Sequence, residues 1–105
     1  MFELKASGEK FHFVLKAANG QVILSSQMYS SKASAMNGIE SIKTNAVNDD
    51  LYERKTAANG KFHFNLKSTN GQIIGSSQMY ASESGVSNGI ASVKKNAPSA
   101  GVKEV

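Results

Sequence analysis

The stretch KFHFVLKAANGQVILSSQMY, residues 10–29, returns 51 residues later as KFHFNLKSTNGQIIGSSQMY, residues 61–80. Extending the alignment from Lys10 to Ala46 against Lys61 to Ala97 gives 23 identities in 37 positions. Upstream, Phe2–Lys5 (FELK) matches Tyr52–Lys55 (YERK) with one residue fewer of offset, so the second copy must absorb one extra residue in the loop before its KFHF. Two copies of about 50 residues are too few for a solenoid, which needs at least three units to bury a continuous core. The organisation expected is one domain, residues 1–105, built from two repeats at about 1–50 and 51–105.

Each repeat reads β-β-β-α. In the first, Phe11, Phe13 and Leu15 alternate with Lys10, His12, Val14 and Lys16, and in the second Phe62, Phe64 and Leu66 alternate with Lys61, His63, Asn65 and Lys67. Period-two alternation marks half-buried strands. Phe2 and Leu4 alternate with Glu3 and Lys5 in the same way. Asn19-Gly20 and Asn70-Gly71 supply the positive φ angles of tight hairpins. The third strand loses alternation at Ser25-Ser26, where a bulge is expected. Its faces stay open, so the direction of Gln27 and Tyr29 does too.

After SSQMY the period changes. Ala35, Ile39, Ile42 and Ala46 recur at four, three and four, as do Val86, Ile90, Val93 and Ala97, so each set lines one helix face. Ser31 and Ser82 are the expected N-caps, and Asn45 and Asn96 the expected stops. Gly38 and Gly89 fall mid-helix, where glycine costs about 1 kcal/mol against alanine; close approach of helix to sheet is the expected compensation. Because one three-stranded sheet with one helix is a marginal core, the repeats should fuse into an α+β fold: one antiparallel sheet with two helices on one face.

The tandem KFHF-x-LK, NGQ-x-I, SSQMY, NGI-x-S and KKNA motifs, with a closing VKEV, resemble the YegP-like family of small bacterial and archaeal proteins. The resemblance implies a β-β-β-α-β unit, used in tandem or as a homodimer of single copies, with exchanged last strands. Val102 to Val105 would then be a final strand crossing to the other repeat. It implies no activity.

Composition narrows the function classes. The chain has no cysteine, so it can hold no disulfide or thiolate cluster. MFELKASGEK has neither a signal peptide's order nor an apolar run of membrane-spanning length, which makes a cytoplasmic location and no membrane partner the expectation. Net charge is +4, and the whole excess lies in residues 51–105, with seven Lys/Arg against three acids.

His12 and His63, flanked by lysines, read as solvated strand residues and not metal ligands. No G-x-S-x-G elbow or phosphate loop occurs; Ser92-x-x-Lys95 lacks companion motifs. The expectation is therefore no enzyme and no cofactor, but a small binding or interaction module whose partner is a protein or, as the alternative, weakly bound nucleic acid. Candidate binding residues are Lys10, His12, Lys16, Lys61, His63 and Lys67 on the outer sheet face, Lys94 and Lys95 at the end of the second helix, and Tyr29 and Tyr80. Each tyrosine either closes the edge of the core or offers a ligand an amphipathic handle near a helix start. Duplication inside one chain predicts a monomer.

Overall fold

In the computed structural model, which describes Met1–Val105, the first repeat forms β1 (Phe2–Ser7), β2 (Lys10–Lys16), β3 (Val22–Ser25) and α1 (Lys32–Asn45). The second forms β4 (Tyr52–Thr56), β5 (Phe62–Lys67), β6 (Ile73–Ser76), α2 (Glu83–Asn96) and a short β7 (Val102–Glu104). A single 3₁₀ turn, Asp49–Leu51, joins α1 to β4. The helices begin and end where the caps and stops predict: Ser31 Oγ accepts the Ser34 amide and Ser82 Oγ the Gly85 amide, each at 3.1 Å.

The strands make one seven-stranded sheet in the order β4-β5-β6-β3-β2-β1-β7. The repeats meet where β3 and β6 pair antiparallel at Ser25 and Ser76, giving the sheet a pseudo-twofold axis at that pair. The one departure from an antiparallel sheet is β7, which runs parallel to β1 and makes the sheet mixed. Only this last strand is exchanged. By the 51-residue offset its counterpart in the first repeat is Leu51–Glu53, the end of the 3₁₀ turn and the start of β4 itself.

One cluster of 18 buried residues draws on both repeats, including Phe13, Leu15, Phe64 and Leu66 from the sheet and Ile39, Ile42, Val86 and Val93 from the helices. At the axis the repeats differ in a complementary way. A Cβ on Gly75 would stand 2.7 Å from Leu24 Cγ, so Leu24 fills the space that its own counterpart vacates. Two leucines there would collide across the axis.

Two local expectations need correction. The irregularity in β3 lies not at Ser25-Ser26 but where Leu15 and Lys16 face Leu24 and Val22, leaving Ile23 as the extra residue. At the Asn-Gly hairpins only the glycine takes positive φ (85° at Gly20, 86° at Gly71). Asn19 and Asn70 act through their side chains, whose Oδ1 atoms accept the Gln21 and Gln72 amides. The close approach of helix to sheet expected at the mid-helix glycines is present, and the Tyr29 and Tyr80 rings share it. A Cβ on Gly38 would lie 2.9 Å from Tyr29 Cζ and 3.1 Å from Phe13 Cε2, and one on Gly89 would meet Tyr80 and Phe64 at 2.9 Å. The extra residue of the second copy is absorbed in the Ala57–Lys61 hairpin loop, as expected.

Candidate functional site

SSQMY divides its residues between structure and surface. Ser25 joins the repeats; Ser26 ends β2's ladder, its Oγ accepting the Phe13 amide at 2.9 Å while its own amide donates to the Phe13 carbonyl. Tyr29 bridges back to Phe11 and stacks on Phe13 with ring centroids 6.0 Å apart. Ser77 and Tyr80 repeat these contacts on Phe64, the rings 6.4 Å apart. Each tyrosine therefore closes the core edge with its ring while its hydroxyl lies over the middle of the helix, at Gly38 or Gly89, and not at the helix start. Burial raises the Tyr29 phenol above its ordinary value, partly offset by a hydrogen bond with Gln27.

Each hydroxyl faces a groove that neither repeat makes alone. One groove, of about 240 Å³, is walled by Gln27, Tyr29, Asn37 and Ser41 of the first repeat and by the Asn70–Gln72 turn and Ile74 of the second. The other, of about 280 Å³, is walled by Gln78, Tyr80, Asn88 and Ser92 of the second repeat and by Asn19, Gln21 and Ile23 of the first. These sets are equivalent under the 51-residue offset. Eight of the ten lining positions are identical, the exceptions being Ala17 against Ser68 and Ser34 against Gly85.

Several of these identities have fold-level reasons. Asn19 and Asn70 close their turns, and Ser41 and Ser92 accept from Asn45 and Asn96. Gln21, Gln72, Gln78, Asn37 and Asn88 are exposed and their side chains make no hydrogen bond to the protein. Not one charged side chain lines either groove, in a protein that is 19% charged. The second groove continues along α2 into a wider cleft bounded by Lys95, where the first repeat carries Thr44.

The open sheet face is a separate surface. Lys16 pairs with Glu3 at 3.0 Å, and Lys67 with Glu53 at 2.8 Å. These hydrogen-bonded lysines hold the Glu3 and Glu53 carboxyls below the usual carboxylate range, with Asn65 adding to the effect at Glu53. Lys94 pairs with Asp49. Lys16, Lys67 and Lys94 are thus neutralised, and of the candidate lysines Lys10, Lys61 and Lys95 stand outside any ion pair. Val14 and Asn65, expected on a solvated face, are buried, Asn65 by hydrogen bonds with Glu53 and Ser76.

His12 and His63 lie on this face with their Nδ1 atoms buried and unpartnered. No three His, Asp or Glu side chains converge as metal ligands would. No helix is long and apolar enough to cross a membrane.

The model of a domain of unknown function, DUF1508, matches residues 6–53 and again 57–104. The chain belongs to the DUF1508 family. DUF1508 relatives include the UPF0339 protein YegP of Escherichia coli K12, 57% identical over 104 residues, which span 98% of this chain and 94% of the relative. A UPF0339 protein of Pseudomonas aeruginosa is 51% identical, over 95% of this chain and 91% of its own. The solution structure of E. coli YegP, titled a protein of unknown function, superposes with a TM-score of 0.92 at 56% identity, covering 98% of this chain and 90% of that one. The solution structure of a UPF0339 protein from Shewanella oneidensis gives 0.92 at 49% identity, covering 98% and 88%. The DUF1508 repeats match bacterial proteins along nearly their whole length and carry no assigned activity.

Lysines and tyrosines stand out in the sequence as candidate binding residues, whereas Gln21, Gln72, Gln78, Asn37 and Asn88 do not. A usable signal was present. These are polar positions kept identical in both repeats although neither the helical nor the strand period needs them.

Proposed function

We propose that this protein is a non-catalytic binding module with two equivalent sites, the composite grooves at Tyr29 and Tyr80, for an uncharged ligand rich in hydroxyl or amide groups. The observation that carries this reading is the identity of the groove linings across the repeats, including exposed carboxamides that no fold contact requires. Carboxamides donate and accept together, so they suit ligands of mixed donors and acceptors, and the absence of charge in the walls argues against an ionic ligand. The grooves fall slightly below the usual size of small-molecule sites, about 300–1,000 Å³, which fits one sugar ring or dipeptide unit per site. No nucleophile, base and orienting acid come together in them, so binding is the role assigned. The protein acts as a monomer, because duplication already supplies both halves of each groove.

The test is an amide chemical-shift titration with neutral oligosaccharides and end-capped dipeptides. Coincident shifts at Gln27, Asn37 and Gln72 and at Gln78, Asn88 and Gln21 support the reading. The pair Gln27→Ala with Gln72→Ala should silence one groove and leave the other. Shifts confined to the open sheet face, or none with any compound, overturn it.

A further inference from the structure

Every element of one repeat has a partner under the pseudo-twofold axis, with one exception. β7 lies along the outer edge of β1; the Phe2 amide donates to the Gly101 carbonyl at 2.8 Å and the Val105 amide to the Leu4 carbonyl at 3.0 Å. The matching edge, that of β4, carries no strand, because the residues equivalent to β7, Leu51–Glu53, lead into and begin β4 itself. β4 and β7 occupy opposite edges of the sheet. Six strand spacings of about 4.8 Å put them roughly 29 Å apart, so β7 cannot serve both.

We infer that the β4 edge is a docking site for an extended peptide of another protein, running parallel to β4 and presenting an acidic side chain beside Arg54. The backbone is prepared for it. Glu53 and Lys55 face Asn65 and His63 in the β4–β5 ladder as Glu3 and Lys5 face Val14 and His12 in β1–β2. By that equivalence Arg54, like Leu4, turns its amide and carbonyl outward. The Tyr52 amide already donates to the Asp49 carbonyl, so an incoming strand would bond from the Tyr52 carbonyl onward.

The side chains define the occupant. On the first repeat, Leu4 is buried beneath β7, and Glu104 of that strand reaches Lys32 at the start of α1. On the second, Arg54 replaces Leu4, Glu83 replaces Lys32, and a cleft of about 110 Å³ opens between them over Phe62 and Val86. The equivalent place on the first repeat has no cavity. A strand on β4 in β7's register sets its counterpart of Glu104 into this cleft. Arg54 is tied only to Ser87, at 3.0 Å, and Lys55 is engaged by Glu53, so Arg54 is the charge that an added strand meets first. Opposite charges side by side on neighbouring strands attract. Glu83 works against an acid there, which gives a directed test. Self-pairing of β4 centred on Arg54 would oppose two arginines, a known block to edge association, and β7 of a second copy is already held on its own β1, so both routes favour a foreign strand over a second copy.

The experiment titrates the labelled full chain with the acetylated peptide SAGVKEV, the protein's own residues 99–105. Saturable shifts at the amides of residues 53–56, with those of β1 unmoved, are expected. Glu83→Lys, which restores the residue type found at position 32, should tighten binding about tenfold, equivalent to one charge-assisted contact of ~1.4 kcal/mol. Arg54→Glu should weaken it at least as much. Both positions are exposed, so the fold should survive, and a peptide with proline in place of its last valine should not bind, having lost the donor to the Arg54 carbonyl. Absence of shifts at millimolar peptide in both wild type and Glu83→Lys overturns the inference. So do shifts confined to β1, which would mean exchange with β7, and concentration-dependent dimerisation through β4 without peptide.

Discussion

Exchanging Leu24 and Gly75 tests the joint between the repeats. Leu24 is buried at 1% exposure and occupies the space beside Gly75, where a Cβ would approach it to 2.7 Å. Leu24→Gly removes a buried leucine, which costs about 2–5 kcal/mol for truncation to alanine and roughly 0.5–1 kcal/mol more for glycine in a strand. Gly75→Leu forces four heavy atoms into filled space, at the upper end of the about 1–3 kcal/mol usual for overpacking or beyond it. If independent, the two changes would sum to about 6 kcal/mol or more, a large share of the roughly 5–15 kcal/mol that holds a domain together. Because Gly75 does not take positive φ, leucine is conformationally allowed there. The double variant conserves volume across the axis and should lie within about 1.5 kcal/mol of wild type. Urea unfolding of the four proteins closes the cycle, and a coupling above about 3 kcal/mol is expected. A double variant as unstable as the sum of the singles would show that Leu24 and Gly75 do not share one space.

Gly38→Ala should destabilise by about 1–3 kcal/mol despite alanine's better helix propensity, since the new methyl meets the Tyr29 ring; pairing it with Tyr29→Ala should remove that added penalty, as unfolding midpoints would show. At alkaline pH, burial of the Tyr52 phenol, which donates to the Ala46 carbonyl at 2.7 Å and titrates well above its ordinary value, stabilises the fold fully below the unfolded pKa near 10. That contribution is lost as pH rises towards the folded pKa, so Tyr52→Phe should flatten the stability profile above about pH 10. In acid the sign reverses. The depressed Glu53 carboxyl contributes above the unfolded value near 4.3 and loses its contribution as pH falls through the folded one, so Glu53→Gln should give a shallower acid limb in a melt series from about pH 5 to 3. Residues 1–50 alone should show no cooperative melt as a monomer, because the buried cluster draws on both repeats.

Much of the architecture was legible in the sequence because it rests on periodicity and local chemistry. Alternation around Phe13 and Phe64 and the four-three-four spacing from Ala35 and Val86 are imposed by backbone geometry, so strands and helices could be placed before any contact was known. Caps at Ser31 and Ser82 depend on a residue and the amides just after it, and were equally readable. Duplication announced a fused sheet. What the sequence could not show were relations between residues far apart in the chain. That Leu24 lies against Gly75, or that the Asn70–Gln72 turn of one repeat walls the groove beside Tyr29 of the other, follows from how the repeats turn about Ser25 and Ser76. Ion pairing of Lys16, Lys67 and Lys94 likewise depends on neighbouring elements. The carboxamide grooves and the open β4 edge belong to the same class: the residues are ordinary in sequence, and only packing across the pseudo-twofold axis brings them together or leaves them without a neighbour.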